Sequence, residues 1–394
     1  MKWYLVLLSI LLLLTGCWDS EELNEISLVT GIAIDKGENY KYKLTVEVLN
    51  PPALQTENVG DQSASIIFSL EGDSVGELAR KMNIGFTRKL KYSHMRIAVF
   101  SKQIVEEGML EFIDFFEADR EIRNDFNVLV VDNVQAHDVL KVTYPIQRSS
   151  SLKINTQADT MVQEWGGDVD NRLKDLIRAL SSTGREPVLT MYKVEGEVEK
   201  GNRLENMEKV EIDTIVVIEG LAIFEKLEYK GTLPIKDIRN FLLLQDKLNN
   251  TSITAACAND KVMTARITSS KRKIKAAYKQ DIPHINIDID LEGRMDLIQC
   301  SVDVTMLDTY LDIENKIAKA FEGEIEQTIE VLQNEYQLDI FGFGEDMERQ
   351  DYKNFKKNED NWNQEFARAK INVDVKLKIR RSGLITNPVF EYIE

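Results

Sequence analysis

Apolar and polar residues follow two rhythms along this chain, a period of two in short runs and a period near 3.6 in longer ones. Ile26 to Ile34 reads as a strand. Tyr40, Tyr42, Leu44, Val46 and Val48 then alternate with polar neighbours, the pattern of a half-buried strand. Pro51-Pro52 closes that run, a loop-like stretch reaches Ser63, and Ala64 to Leu70 reads as another strand. Ser74 and Glu77 have capping-box spacing, which predicts a helix to about Arg88 with Leu78, Met82 and Phe86 on one face. His94 to Phe100 returns as a strand. Val105 to Ala118 has helical periodicity, burying Leu110, Ile113 and Phe116 or their neighbours. Phe126 to Val131 suits a buried strand, and Asn133 is placed to cap a small helix through Leu140. Pro145 to Asp170, polar and broken by Gly166-Gly167, reads as a long surface excursion before a helix at Asn171 to Leu180.

The second half has a different pattern. Val210 to Phe224, Leu227 to Leu233, Val262 to Thr268, Lys273 to Tyr278, Ile285 to Leu291 and Cys300 to Val304 read as strands. Ile371, Val373, Val375, Leu377 and Ile379 alternate with polar residues, so that strand should have one wet face. Between them Leu311 to Gln337 forms a single long helix, on which Ile313, Ile317, Phe321, Ile325 and Ile329 step by four. Each such step rotates by about 40°, and the whole set sweeps roughly 160°, wider than a coiled-coil seam. The helix should therefore lie in the concavity of a curved antiparallel sheet. The fold class expected is α+β: mixed α/β domains, the last an antiparallel curved sheet packed around one long helix. The expected divisions are a leader at 1–16, an N-terminal α/β domain at 17–200 and a C-terminal α+β domain at 201–394. A small subdomain at about 210–265 is an added possibility, and the charged stretch Gly196 to Glu208 marks the boundary.

Ahead of this pattern, Lys2 precedes an almost unbroken apolar run from Trp3 to Leu14, closed by Leu14-Thr15-Gly16-Cys17. A short charged region, a brief apolar core and a small-residue exit describe a secretory signal peptide. The run falls short of the ~20 apolar residues that cross a ~30 Å hydrocarbon core. The same four residues look like a bacterial lipobox, which implies a diacylglyceryl group on Cys17 and cleavage between Gly16 and Cys17. An ordinary signal peptide beside a coincidental cysteine, or an uncleaved anchor, are the competing readings. Acyl chains, at about 0.8 kcal/mol per buried methylene, suffice to hold the mature chain at a membrane. The composition, 43% hydrophobic and 29% charged, supplies real cores, and the net charge of -17 argues against nucleic-acid binding. Cys257 and Cys300 lie in apolar contexts and are expected as buried free thiols, although an exported location permits a disulfide.

Candidate chemistry is sparse. His94, His137 and His284 are widely separated and no H-E-x-x-H pair exists, so no metal site and no cofactor is expected. No phosphate-binding loop or G-x-S-x-G elbow occurs, and Gly342-Phe343-Gly344 reads as a tight turn where glycine permits positive φ. Asp288, Asp290 and Glu292 share a strand face at intervals of about 7 Å and are expected to pair with Lys271, Lys273 and Lys275. Arg88, Lys89, Lys91 and Arg96 make a basic island in an acidic chain. They suit an acidic partner or lipid headgroups, or the first three simply complement a helix C-terminus. Arg120 and Arg123, in Asp119-Arg120-Glu121-Ile122-Arg123, stand between the same alternatives. On physics alone this is a non-catalytic anchored binding or scaffolding module.

Several segments resemble the Ger(x)C family of spore germination lipoproteins. They are Gly16-Cys17-Trp18-Asp19 with Glu21-Glu22, Gly31 to Asp35, Ser93-His94-Met95-Arg96 and Asp119 to Arg123. Gly220 to Phe224, Gly231 to Leu233, Leu332-Gln333, Asp339 to Gly344 and Trp362 continue the set in the family's order. The resemblance implies the C subunit of a nutrient germinant receptor, standing beside an A subunit and a polytopic B subunit at the inner membrane of a dormant spore. It brings no catalytic residues and implies several mixed α/β domains. The rival readings are an extracytoplasmic solute-binding lipoprotein, which needs two similar lobes around a cleft, and a cell-envelope hydrolase, which needs a catalytic constellation.

Overall fold

The computed structural model describes residues 3, 22, 24–51, 63–257, 260–300 and 306–380. In chain order the first half contains β1 (Ile26–Lys36), β2 (Tyr42–Leu49), β3 (Ser65–Gly72), α1 (Val75–Lys81), β4 (Lys89–Lys91) and β5 (Ile97–Ser101). There follow α2 (Lys102–Glu107), α3 (Leu110–Ala118), β6 (Asn127–Val131), α4 (Ala136–Lys141), α5 (Ser150–Glu164) and α6 (Leu173–Leu180). β7 (Val188–Gly196), β8 (Thr214–Glu225) and β9 (Glu228–Pro234) complete a nine-stranded sheet of order β3-β2-β1-β5-β6-β7-β8-β9, with β4 paired to β1. β1, β5, β6 and β7 are parallel and the flanking pairs are antiparallel.

Parallel strands need cover on both faces, and their sequences show it. On β5 and β6, Ala98, Phe100, Val128 and Val130 enter one core, while Ile97, Val99, Leu129 and Val131 enter the other. The first core packs α1, α2, α3 and α6 around edge-on contacts of Phe100 and Phe126 with Phe112 and Phe116. β2 is covered on both faces, not half-buried as its alternation suggested. The helix expected to reach Arg88 stops at Lys81 and runs on only as a 3-10 turn to Gly85. The helix expected over 105–118 is two, parted at Gly108, whose φ of +110° ends the first. Leu110 is exposed, while Phe112, Ile113 and Phe116 are buried.

Two buried carboxylates explain the largest departures from the sequence pattern. Asn133 does not cap α4; the carboxylate of Asp35, at the end of β1, accepts from Ala136 N and His137 N. The stretch 145–170 is no surface excursion, because most of it is α5. Glu47 of β2 accepts from Ser149 Oγ, Ser150 N and Ser151 N at 2.9–3.0 Å and anchors that helix's buried N-terminus. A carboxylate meeting helix N-terminal amides satisfies donors left over by the helix and complements its dipole.

The second half contains α7 (Ile235–Leu244), β10 (Thr251–Ala256), β11 (Val262–Lys279), β12 (Ile282–Ile298), α8 (Leu307–Val331), α9 (Phe343–Gln350), α10 (Tyr352–Asn358), α11 (Trp362–Ala367) and β13 (Lys370–Ile379). The four strands form a second sheet in the order β10-β11-β12-β13, antiparallel except for the parallel β12–β13 pair. The two expected runs at 262–268 and 273–278 are one strand, β11, with bulges between them. The strand expected at 300–304 lies outside the described residues apart from Cys300. As expected, Ile313, Ile317, Phe321, Ile325 and Ile329 of α8 are buried, at most 3% exposed. Fully burying such a side chain stabilises by about 1.5–3 kcal/mol. The polar flank of α8 also closes the sheet's edge: Glu314 accepts from Ile379 N, and Glu322 from Val375 N.

The boundary expected near Gly201 falls between β7 and β8, which are hydrogen-bonded neighbours, so the first sheet runs across it. Residues 210–265 form no unit of their own, since β8 and β9 belong to the first sheet and β10 to the second. One apolar core continues from beneath β5–β8, through α7, to the second sheet and α8. The expectation of free thiols fails as well. Cys257 and Cys300 form a disulfide with a Cα–Cα distance of 6.2 Å, tying the end of β10 to the chain after β12. Their shared address, where two strand ends meet, emerges only from the folded sheet.

The halves are pinned at a turn after α8. Asp339, wholly buried, accepts from Phe341 N, Gly342 N, Gly344 N and the Trp362 indole, all at 2.8–2.9 Å. Burial raises its carboxyl to about 7, against those donors. Gly342 has the positive φ expected of this turn, +82°, and Gly344 lies so close to Gly184 of the first half that neither could carry a Cβ. The Asp339 carbonyl accepts from Glu186 N at 2.8 Å, and Asn363 bridges Asp339 N and the Glu186 carboxylate.

Two outcomes follow for urea denaturation. Replacing both Cys257 and Cys300 by Ala should cost about 2–4 kcal/mol, matched by reduction of the wild-type protein. Asp339→Asn, which sets an amide donor against buried N–H groups, should cost roughly 2 kcal/mol or more and perturb the Trp362 near-ultraviolet signal.

Candidate functional site

The amino ends of the parallel strands β1, β5 and β6 lie along one margin of the first sheet, and the chain enters β1 there. Leu90 is buried, so Lys89 and Lys91 share the other face of β4, next to Ile26–Leu28 of β1, with Lys89 exposed and the Lys91 side chain largely covered. Both reach Glu121, at 4.0 and 3.4 Å. They therefore do not complement a helix C-terminus; Arg80 and Lys81 occupy that position on α1. Arg96 joins the neighbouring strands: its N–H donates to Thr30 O and its carbonyl accepts from Asn127 N, at 2.7 and 2.8 Å.

Asp119 to Arg123 is a turn after α3, not a helix end. The Asp119 carboxylate accepts from Glu121 N at 2.9 Å, and Ile122 plugs into the core. Arg120 and Arg123 consequently face outward. Asp119 pairs with Arg80 at 3.0 Å and Arg123 with Asp125 at 2.7 Å.

The fold thus gathers the basic residues singled out in sequence, Arg88, Lys89, Lys91, Arg96, Arg120 and Arg123, on segments meeting at this margin. It also interleaves them with Glu121 and Asp125. Such exposed pairs contribute about 1 kcal/mol or less each. Arg88, Arg96 and Arg120 are exposed and form no ion pair among the described residues. Ile84, 82% exposed, stands on the turn leading to β4.

The other residues named from sequence have structural settings. His137 Nδ1 lies 2.8 Å from Asp35, inside the α4 cap. His94 Nδ1 meets Ser93 Oγ at 3.1 Å, and His284 sits on β12 opposite Ala277 and Lys370. Among the described residues no group of three or more His, Cys, Asp or Glu is placed to hold a metal ion. Asp290 and Asp288 stand opposite Lys271 and Lys273 in register, Lys275 approaches Asp288 at 3.9 Å, and Glu292 pairs with Arg380. Gly16 and Cys17 lie outside the described residues. Among those described, no helix is long and apolar enough to cross a membrane.

Sequence reasoning missed the buried carboxylates. Besides Asp35, Glu47 and Asp339, Asp168 accepts from Thr190 Oγ1 and the Tyr192 hydroxyl at 2.9 and 2.6 Å, and burial holds the Asp168 carboxyl above its ordinary value. Burial shifts Lys153 the other way, down to about 8; it donates to Gln157 and Val216 O and lies over the Tyr144 ring. The partners of Asp35, Glu47 and Asp168 are remote in sequence, so no local signal marks them, whereas Asp339 precedes the amides it holds by two to five residues.

Comparison with known proteins covers almost the whole chain. Residues 19–194 match the family model for the spore germination protein N-terminal domain, and residues 219–383 that for the spore germination B3/GerAC-like C-terminal domain. Spore germination protein KC of Bacillus subtilis (strain 168) is 27% identical over 98% of this chain and 96% of its own length. Spore germination protein GerQC of Bacillus cereus is 21% identical over 98% of this chain and 99% of its own. In fold, the chain is similar to the crystal structure of the GerBC protein, with a TM-score of 0.58 at 19% identity, over 92% of this chain and 100% of that one.

Proposed function

The chain belongs to the spore germination B3/GerAC-like family, and from that premise we propose that it is the lipid-anchored C subunit of a germinant receptor. In this reading it is a non-catalytic interaction subunit required for nutrient-triggered germination, held on the outer surface of the spore inner membrane beside the A and B subunits. The observation that carries it is the pair of family domains in order along the chain, together with relatives matched over nearly their full length. The lipobox-like Leu14-Thr15-Gly16-Cys17 supports the anchor. Cys17 precedes β1 by only a short stretch of sequence, and β1 begins at the margin that carries the basic residues, which supports contact with the other subunits close to the membrane.

Cys17→Ala should move the protein from the membrane fraction to the soluble fraction and impair nutrient germination, with an unchanged unfolding midpoint. Deleting the gene should abolish the response to at least one nutrient and spare a receptor-independent trigger; an unaltered nutrient response counts against the reading. The double substitution Arg88→Glu with Arg120→Glu should change stability by no more than about 0.5 kcal/mol. It should reduce co-purification with the A and B subunits, and full retention would remove this margin as the contact surface.

A further inference from the structure

A cleft of about 200 Å³ opens where the two halves meet, between α6, the segment leading into β7, the α7–β10 connection, β11 and the turn before α9. Its walls bring together Arg178, Arg185, Lys247, Arg272 and Arg349. This is a concentration of cations in a chain of net charge -17. We propose that the cleft binds a small oxyanion, a compound carrying a carboxylate or phosphate group, through Arg185 and Lys247.

The acids in the same walls are largely committed. Asp346, buried, is held by Arg349 and lies 3.7 Å from Arg272, so one carboxylate serves two guanidinium groups. Arg272 also donates to the Leu244 carbonyl. The Glu186 carboxylate accepts from Lys226 N and, at 2.7 Å, from Asn363. Asp175 faces its own helix N-terminus, accepting from Arg172 N at 3.4 Å.

The donors are not matched. Arg185 gives one N–H to Gln245 Oε1 at 3.3 Å, but its Nε is buried without an acceptor. Glu345 pairs with Arg185 by charge, but at 3.6 Å from that nitrogen it is too far for a hydrogen bond. Lys247 forms no ion pair among the described residues. The residue as a whole is exposed, and partial desolvation, joined by the charges of Arg185 and Arg178 and opposed by Asp175, lowers its pKa from the ordinary lysine value.

A buried N–H without an acceptor is costly, and like charges side by side raise that cost. An oxyanion relieves both at once, since guanidinium N–H groups match carboxylate and phosphate oxygens and the ammonium adds a point charge. The walls also carry Asp175, Glu186, Glu345 and Asp346, and the Arg185 Nε is the group there left without a hydrogen-bond acceptor. Because the walls come from both halves, the bound anion also ties them together. This assignment stands on the cleft alone and does not depend on the chain being a receptor subunit.

The test uses the full chain in detergent, titrated calorimetrically with sodium phosphate and separately with sodium succinate, with sodium chloride at matched ionic strength as the screening control. Saturable binding of either anion beyond the chloride control is expected, weakened about tenfold or more by Lys247→Met and by Arg185→Gln. Lys247→Met disturbs no ion pair, so it remains informative if the Arg185 variant folds poorly. Phosphate alone binding identifies a phosphoryl ligand, and succinate alone a carboxylate. No saturable binding of either at millimolar concentration, or equal binding by wild type and Lys247→Met, overturns the proposal.

Discussion

The fold depends on one buried carboxylate more than on any other group. Asp339 gathers three backbone amides and an indole N–H, and so converts the chain after α8 into a fixed turn. With the turn set, Gly344 lies against Gly184 and the Asp339 carbonyl takes the Glu186 amide. A charge in such a place is costly, and only a full set of donors makes it tolerable. That requirement explains why the turn, Trp362 and the Gly184–Glu186 segment have a single arrangement relative to one another. The apolar core running from one sheet to the other then has a fixed geometry to fill.

The same device recurs where helices must begin inside the protein. Asp35 and Glu47 reach from β1 and β2 to the first amides of α4 and α5, and Asp168 satisfies the hydroxyls of Thr190 and Tyr192 on β7. Each links segments that apolar packing alone would leave free to slide. Non-directional burial decides that these layers stack; directional hydrogen bonds decide their register. The disulfide and the α8 carboxylates on the β13 edge complete the second sheet in the same manner.

Functionally, the molecule has two polar regions of different kinds. The margin at the amino ends of β1, β5 and β6 carries the exposed Arg88, Arg96 and Arg120, with its lysines partly neutralised by Glu121. The seam cleft is concave, with cations outnumbering the acids able to serve them, as suits a small anion. The margin is anchored in the first core by Leu90 and Ile122, while the seam lies on the core that continues from the first sheet to the second.

Much of this was legible in residue order. The alternation of β13, the continuous apolar run of β6 and the arc on α8 report burial directly, because strand and helix periods are local properties of the backbone. The resemblance carried by short ordered motifs located the family, and the basic residues were singled out before their meeting place was known. What sequence did not convey is every contact between remote segments. These include Glu47 with α5, Cys257 with Cys300, the parallel entry of β13, the run of the first sheet past Gly201, and the assembly of Arg185, Lys247 and Arg272. Local periodicity decides which face of an element is apolar. Only the closed structure decides which distant donor meets which buried acceptor, because that pairing is settled by satisfying polar groups after water has been excluded.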